Sequence, residues 1–337
     1  MIWVRVRGNF TMGYKNVMAN SKPLLSVIVP IYNVQDYVVA ALQSLQEQSF
    51  TDFEAILVED KSTDDSLAVI QEFAHEDPRF YIIQHKTNQG VAAARNVGLE
   101  NAQGEYIYYF DPDDLLPHDF LKNMMAAIQK TDIDIVCANT SNFAWDTEPE
   151  WRQETTVTAQ EVIDRDELLQ RLLPYKIETT AWSYITRRKF IGDVRFSTGR
   201  LFEDEDYTAQ LFTKARRACL LHMALLGYCH RVDRPGSIID QNRSGKTLQG
   251  FEDLQYMLER KYQICHAVLG DDQQLVMWYY RLVYRLLKEY RWLLKNMPEE
   301  RTALLAKLRW SYRKVEPSLS LRDRLTCLVL KLRYFTI

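Results

Sequence analysis

The sequence predicts an α/β protein with a doubly wound, mostly parallel sheet followed by a C-terminal helical extension. Three observations carry this prediction. Between Leu24 and Ala138, short apolar runs alternate strictly with segments whose apolar residues recur at helical spacing. The runs are apolar throughout rather than at every second residue, as expected for strands covered on both faces. Beyond Lys246 the alternation stops and long helical periods take over.

Leu24–Val29 reads as a buried strand ending at Pro30, and Val34–Gln48 as a helix through Val34, Val38, Leu42 and Leu45. Phe53–Val58 is the second strand. The helix over Asp64–Ala74 follows, with Asp64 and Asp65 suited to its first turn. Phe80–Ile83, Tyr106–Phe110 and Ile133–Ala138 are further strands, separated by helices over Val91–Ala102 and Phe120–Gln129. Ser141–Thr158 is polar and reads as a long irregular connection over the sheet edge. Arg165–Leu173 is helical, and Ala181–Phe190 and Ala218–Tyr228 are strands or short packed segments. Leu248–Leu269, Gln273–Lys295 and Glu300–Val315 read as long helices. The expected division is an N-terminal extension over 1–22, a sheet domain over 23–245 and a helical, basic region over 246–337.

The 337 residues suffice for one large α/β domain with appendages. A net charge of −3 argues against the protein as a whole being a nucleic-acid binder. The charge is uneven. Residues 281–337 hold 14 Lys/Arg against five Asp/Glu, a surplus of +9, so residues 1–280 carry −12 (−3 minus +9). The cysteines, Cys137, Cys219, Cys229, Cys265 and Cys327, show no metal-ligand or redox spacing and suit a reducing compartment. No stretch has the length needed to span a bilayer. The basic N-terminus lacks an apolar core followed by a cleavage site, so a cytoplasmic location is expected.

In doubly wound sheets ligands bind beyond the carboxyl ends of the strands, which directs attention to the polar group after each strand. The first strand ends in Pro30-Ile31-Tyr32-Asn33 and the second in Glu59-Asp60-Lys61-Ser62-Thr63-Asp64. A carboxylate there can accept hydrogen bonds from a nucleobase or ribose, and Tyr32 can stack on a base. Ser62, Thr63 and Asp64 are equally good helix caps. Asn88-Gln89-Gly90 opens a helix with small residues and Arg95, which could face a diphosphate or simply be solvated. The fourth strand ends in Asp111-Pro112-Asp113-Asp114. Three carboxylates in four residues repel one another, and a divalent cation is one natural compensation; an acidic helix start is the other reading. Glu203-Asp204-Glu205-Asp206 admits two readings as well, an acidic helix start or a carboxylate raised in pKa to serve as a base.

Taken together, these segments resemble the large inverting glycosyltransferase family often called family 2, with a GT-A fold. The resemblance rests on Leu25 through Asn33, Leu57 through Asp64, Asn88 through Gly98, Gly104 through Ile107, Asp111 through Asp114, and Glu203-Asp204 before Tyr207. Tyr228 through Arg231 and Gly236 through Ile238 extend it, and the match covers Leu24 to Ile239. The resemblance implies that Pro30, Tyr32 and Asp60 hold the nucleoside of a nucleotide-sugar, with a UDP-sugar expected. It implies that Asp111 contacts ribose or metal, that Asp113 ligates Mn2+ or Mg2+, and that Asp204 is the general base toward a glycan or lipid-linked glycan acceptor. Arg95, Arg231 or Arg234 would assist the leaving group. Two departures stand out. The family's Asp-Asp-Gly after the second strand is Glu59-Asp60-Lys61 here, and the Gln-x-x-Arg-Trp segment of processive members is missing, which favours single additions.

The basic C-terminal helices fit either core packing or peripheral contact with an anionic membrane at the cytoplasmic face. The rival functional reading is an inactive homologue that binds a nucleotide-sugar and acts as a partner or scaffold. A nicotinamide-dependent oxidoreductase is excluded because no Gly-x-Gly-x-x-Gly follows the first strand.

Overall fold

A computed structural model describes residues 2–6, 9–14, 22–130, 132–144, 146–147, 149–173, 176–178, 180–223, 228–232 and 247–315. Arg234, the segment 236–238 and, within the basic C-terminal region, residues 319–337 lie outside the described residues.

The strands in chain order are β1 (Ile2–Val6), β2 (Asn9–Tyr14), β3 (Leu25–Ile31), β4 (Phe53–Glu59), β5 (Phe80–Gln84), β6 (Tyr106–Tyr109), β7 (Ile135–Ala138), β8 (Thr140–Ala144), β9 (Val157–Asp164), β10 (Tyr184–Arg187), β11 (Arg217–Met223) and β12 (Tyr228–Val232). The helices are α1 (Val38–Gln46), α2 (Ser66–Glu76), α3 (Val91–Asn101), α4 (Phe120–Ile128), α5 (Arg165–Leu172), α6 (Arg188–Ile191), α7 (Glu203–Lys214), α8 (Leu248–Leu269), α9 (Gln273–Glu289) and α10 (Pro298–Val315).

Ten strands form one sheet in the order β1-β2-β5-β4-β3-β6-β10-β7-β11-β9. Its central block β5-β4-β3-β6 is parallel, as the strict alternation predicts. All seven residues of β3 and of β4 are buried, because helices cover both faces. The faces are divided by strand alternation. Leu25, Val27, Val29 and Ile31 pack with α1 and α4, while Ile28 packs with α3. Gly98 permits this second contact: a β-carbon there would lie 2.3 Å from Ile28 Cγ2.

Three segments differ from the sequence reading. Ser141–Thr158 is not irregular throughout, since β8 pairs in parallel with β12 in a second, two-stranded sheet. β8 opens with three polar residues, Thr140, Ser141 and Asn142, and none of its residues is buried, so no apolar run announces the strand; a partner nearly ninety residues away creates it. Ala181–Phe190 contributes β10, which runs antiparallel between β6 and β7 in the middle of the sheet. The N-terminal extension contains a hairpin, β1-β2, that joins the sheet edge at β5.

The long helices form as predicted, except that the second ends at Glu289 and is followed by a 3-10 turn over Leu294–Asn296. Trp278, Tyr279, Leu282, Leu286 and Tyr290 are all buried and belong to the same apolar cluster as α3, α5 and α7. The apolar stripe of α9 is therefore core. Among the described residues, no helix is long and apolar enough to cross a membrane.

Candidate active site

The loops after β3 and β4 are stitched together by side chains. Asn33, at φ 51°, accepts from the Thr63 backbone N–H at 2.8 Å through Oδ1, and its own N–H donates to Ser62 Oγ at 3.2 Å. Val34 N–H donates to Ser66 Oγ at 2.9 Å, and Gln35 N–H to Asp64 Oδ2 at 3.1 Å. Of the residues that read as caps, Ser62 and Thr63 bond the neighbouring loop, and Asp64 serves both that loop and the start of α2, where it accepts from Ser66 N–H at 3.0 Å. Pro30 is buried within β3, and Tyr32, 45% exposed, is the side chain that opens outward at this strand end. Lys61, where the family has Gly, sits at φ 64°. The turn keeps the left-handed conformation that glycine adopts freely, at the steric cost of a β-carbon.

Asp60 is turned inward. It is 2% exposed; Oδ1 accepts from Gln89 N–H at 2.8 Å and Oδ2 from Gly90 N–H at 2.7 Å. His85 Nδ1 lies 2.6 Å from Oδ1. In this structure Asp60 holds the loop that leads into α3. Gly90 has φ 85°, which explains a glycine at the helix start.

Arg95 is neither solvated nor aimed outward. It is 3% exposed, and its guanidinium joins three carboxylates from two other elements. Nη1 donates to Glu203 Oε1 at 2.9 Å and to Asp204 Oδ1 at 2.7 Å, and Nη2 donates to Asp111 Oδ1 at 2.9 Å. Its carbon centre also lies 5.3 Å from the Phe196 ring. The neighbouring Asn96 makes two hydrogen bonds to the Phe196 backbone, each 2.9 Å, fixing the segment that leads to α7. Burial disfavours the charge on Arg95, but Asp204, Asp111 and Glu203 hold its pKa well above the ordinary arginine value. Asp204 is raised to about 8: burial is the main cause, Arg95 opposes it, and Glu203, Asp111 and Glu205 reinforce it. In this structure the guanidinium of Arg95 is engaged by three of the protein's own carboxylates.

The acidic run after β6 divides into two environments. Asp114 is 1% exposed; it accepts from Arg231 N–H at 2.7 Å and lies 3.1 Å from His230 Nδ1, tying β12 to the end of β6. Arg231 is buried and donates through Nε to the Asp113 carbonyl at 2.8 Å. Its guanidinium lies over the rings of Tyr37 and Phe143, so it also braces the fold. The repulsion expected among three carboxylates is met for Asp111 by Arg95 and for Asp114 by β12. Asp111 and Asp113 are half-buried at the surface of the site. His230, stacked on Trp182, is raised to about 9. Burial lowers its pKa, but the hydrogen bond and charge of Asp114, together with Asp111 and Asp113, outweigh that.

Among the described residues no group of three or more His, Cys, Asp or Glu forms a ready metal cage. One or two carboxylates open to a substrate phosphate are nonetheless the donor set that Mg2+ and Mn2+ use, and Asp113 with Asp111 fits that chemistry. The carrier of Asp204, α7, is fastened to the sheet by Tyr207 Oη to Tyr109 Oη at 3.0 Å and Thr208 Oγ1 to Tyr184 Oη at 2.9 Å. Burial raises all three phenols, so they remain neutral hydrogen-bonding groups.

Asp111 and Asp204, 93 residues apart, are thus brought to one guanidinium, with Glu203 beside them. Pro30, Tyr32 and Asp60 lie at the neighbouring strand ends. The sequence reading covers His230 within Tyr228–Arg231 without assigning it a task and does not single out His85; their partners, Asp114 and Asp60, come from other strand ends, and no local spacing marks them.

The Glycosyl transferase family 2 sequence model matches residues 26–194. The chain is 28% identical over 251 residues to glycosyltransferase GlyG of Streptococcus pneumoniae, covering 72% of this chain and 80% of that one. It is 31% identical over 217 residues to the minor teichoic acid biosynthesis protein GgaB of Bacillus subtilis, covering 63% of this chain and 23% of that one. The structure of S. aureus TarS residues 1–349 in complex with UDP-GlcNAc superimposes with a TM-score of 0.57 at 22% identity, covering 87% and 90% of the two chains. That likeness establishes a shared GT-A-type architecture with a C-terminal helical region. With the family's sequence model matching half of its length, the chain belongs to glycosyl transferase family 2.

Proposed function

We propose that this glycosyltransferase moves a sugar from a nucleotide-sugar, a UDP-sugar in the first instance, to a hydroxyl of a surface or secreted glycan, with inversion at the anomeric carbon. One observation carries the reading: Arg95 links Asp111, after β6, to Asp204, at the start of α7. The donor-side acid and the acceptor-side acid meet on two nitrogens of one buried guanidinium.

Asp204 takes the acceptor's hydroxyl proton as that oxygen bonds to the anomeric carbon. The bond from this carbon to the diphosphate breaks, and the nucleoside diphosphate leaves with the electron pair. Arg95 orients Asp204 and favours its ionised form without touching the reacting atoms. Tyr32 stacks on the nucleobase, Pro30 shapes the strand end beneath it, and Asp60 acts through the 88–90 loop that it holds. A Mn2+ or Mg2+ ion held by Asp113, with Asp111 beside it, would neutralise charge on the leaving diphosphate.

The UDP preference draws support from the TarS complex, and the glycan acceptor from relatives of the teichoic acid kind such as GgaB. A lipid-linked acceptor would place the enzyme at the cytoplasmic face of the membrane. The basic C-terminal region, with Trp292 51% and Trp310 39% exposed, would meet anionic lipid there. The division into 1–22, 23–245 and 246–337 belongs to the same proposal.

The test is a hydrolysis and transfer screen over UDP-, GDP- and dTDP-sugars with Mn2+. Turnover of a UDP-sugar that is lost in Asp204→Asn is the expected result. UDP-sugar binding without turnover of any donor would overturn it in favour of a scaffold.

A further inference from the structure

The helical region reaches the proposed catalytic turn directly. Asp253, Arg260 and Lys261 lie seven and eight residues apart on α8, two helical turns, and so share one face. That face meets the segment carrying Glu203 and Asp204. Asp253 is 2% exposed and accepts from Leu201 N–H at 3.2 Å and from Arg200 Nη1 at 3.1 Å. The next residue, Phe202, has φ 63°, a left-handed conformation uncommon for a side chain of its size, and it opens α7. Arg260 Nε donates to Asp206 Oδ1 at 3.2 Å, and Ser197 Oγ donates to the other oxygen at 2.9 Å. Lys261 is fully buried, donates to Glu205 Oε2, and lies 5.2 Å from the Trp278 ring of α9.

The four carboxylates of the first turn of α7 are therefore divided between two sources of positive charge. Glu203 and Asp204 take Arg95 from α3; Glu205 and Asp206 take Lys261 and Arg260 from α8. Well-packed apolar contact would glue α8 to the body at least as firmly as a buried ion pair. Buried and half-buried charges that converge on this one turn argue for orientation rather than adhesion.

We propose that α8 is a positioning element for sugar transfer: through Asp253, Arg260 and Lys261 it holds the strained entry and first turn of α7 so that Asp204 faces the acceptor hydroxyl. The proposal rests on the reading of Asp204 as base. It makes the helical region part of the catalytic apparatus, with Asp253, Arg260 and Lys261 acting through α7 and touching no substrate.

Lys261→Met in the full chain tests it. The expected result is a fall in kcat of at least tenfold with the Kd for UDP unchanged within twofold, and recovery in Lys261→Arg. Asp204 is faced by Arg95 from α3, Asp111 and Tyr109 from β6 and its following loop, Tyr184 from β10, and Glu203 and Glu205 from α7. Leaving Glu205 unbalanced therefore moves the rising limb of the kcat–pH profile upward, and Lys261→Met/Glu205→Gln returns it. Arg260→Met, at a half-exposed side chain, is the milder variant and lowers kcat in the same direction should Lys261→Met fold poorly. Hydrogen exchange over residues 203–207 reads the clamp without turnover: it accelerates in both variants while residues 25–31 stay protected. Wild-type kcat and pH profile in both variants, or unchanged exchange over 203–207, overturns the proposal. Faster exchange in the variants of an enzyme that turns over no donor would leave the clamp standing and sink the functional reading instead.

Discussion

Arg95 Nη1 donates to Asp204 Oδ1 at 2.7 Å while Nη2 of the same guanidinium donates to Asp111 Oδ1 at 2.9 Å. Both carboxylates depend on this fork, and Lys cannot reproduce it because an ammonium offers no planar pair of donors. Arg95→Lys is expected to lower kcat by tenfold or more. Arg95→Met, which strands three carboxylates around an apolar side chain, is expected to destabilise the fold by about 3–5 kcal/mol. Steady-state kinetics and urea unfolding check the two outcomes.

Asp204 supplies a pH prediction whose sign is opposite to that of an ordinary ion-paired carboxylate. Its folded-state pKa is raised from 3.8 to about 8. Across that window the folded chain keeps a proton that the unfolded chain has lost, so this group makes stability fall as pH rises from about 4 to about 8. Asp204→Asn mimics the neutral form. Its Tm should match the wild type near pH 4 and exceed it increasingly toward pH 8. Transfer should fall by about 10²–10⁴, the usual contribution of a general base. Equal Tm differences at both pH values would contradict the raised pKa.

Asp113 and Asp114 are adjacent but differently placed: Asp114 is buried against β12, and Asp113 is half-buried. Asp114→Ala removes a buried acceptor of the Arg231 N–H and should lower Tm, with a loss of about 1–3 kcal/mol. Asp113→Ala should leave Tm close to wild type and abolish the Mn2+ dependence of UDP binding, measured by calorimetric titration with and without the metal. Undiminished, metal-dependent binding in Asp113→Ala would remove it from the metal site.

Two backbone positions give stability predictions of opposite sign. Lys61→Gly relieves a left-handed residue at an exposed turn and should stabilise by about 1 kcal/mol. Gly98→Ala drives a β-carbon into Ile28 and should destabilise by about 1–3 kcal/mol. Thermal unfolding of both variants at one pH decides the signs.

The parts of the molecule legible in the sequence are those set by local pattern. The strands β3 to β7 and the helices between them emerge within a few residues of their observed bounds, because continuous apolar runs and helical periods need no knowledge of partners. The strand-end polar groups were legible for the same reason, since a parallel α/β alternation dictates where they gather. β8 was not, because it is largely polar and unburied and exists through pairing with a strand distant in the chain; for β10, which lies within Ala181–Phe190, local pattern left strand and packed segment open, and its antiparallel place between β6 and β7 depends on those distant partners.

What the sequence by itself determined is the parallel core, the family, and the set of acids at the strand ends. Only the tertiary structure decided where each acid sits and what it meets. It turned Asp60 inward onto the 89–90 backbone, pinned Asp114 to β12, and set Asp111 and Asp204 on one arginine. The reason is physical: a carboxylate's role follows from its burial and from the charges within a few ångströms. For Asp204 those charges come from α3, from the loop after β6 and, through Glu205, from Lys261 of a helix more than fifty residues further along the chain.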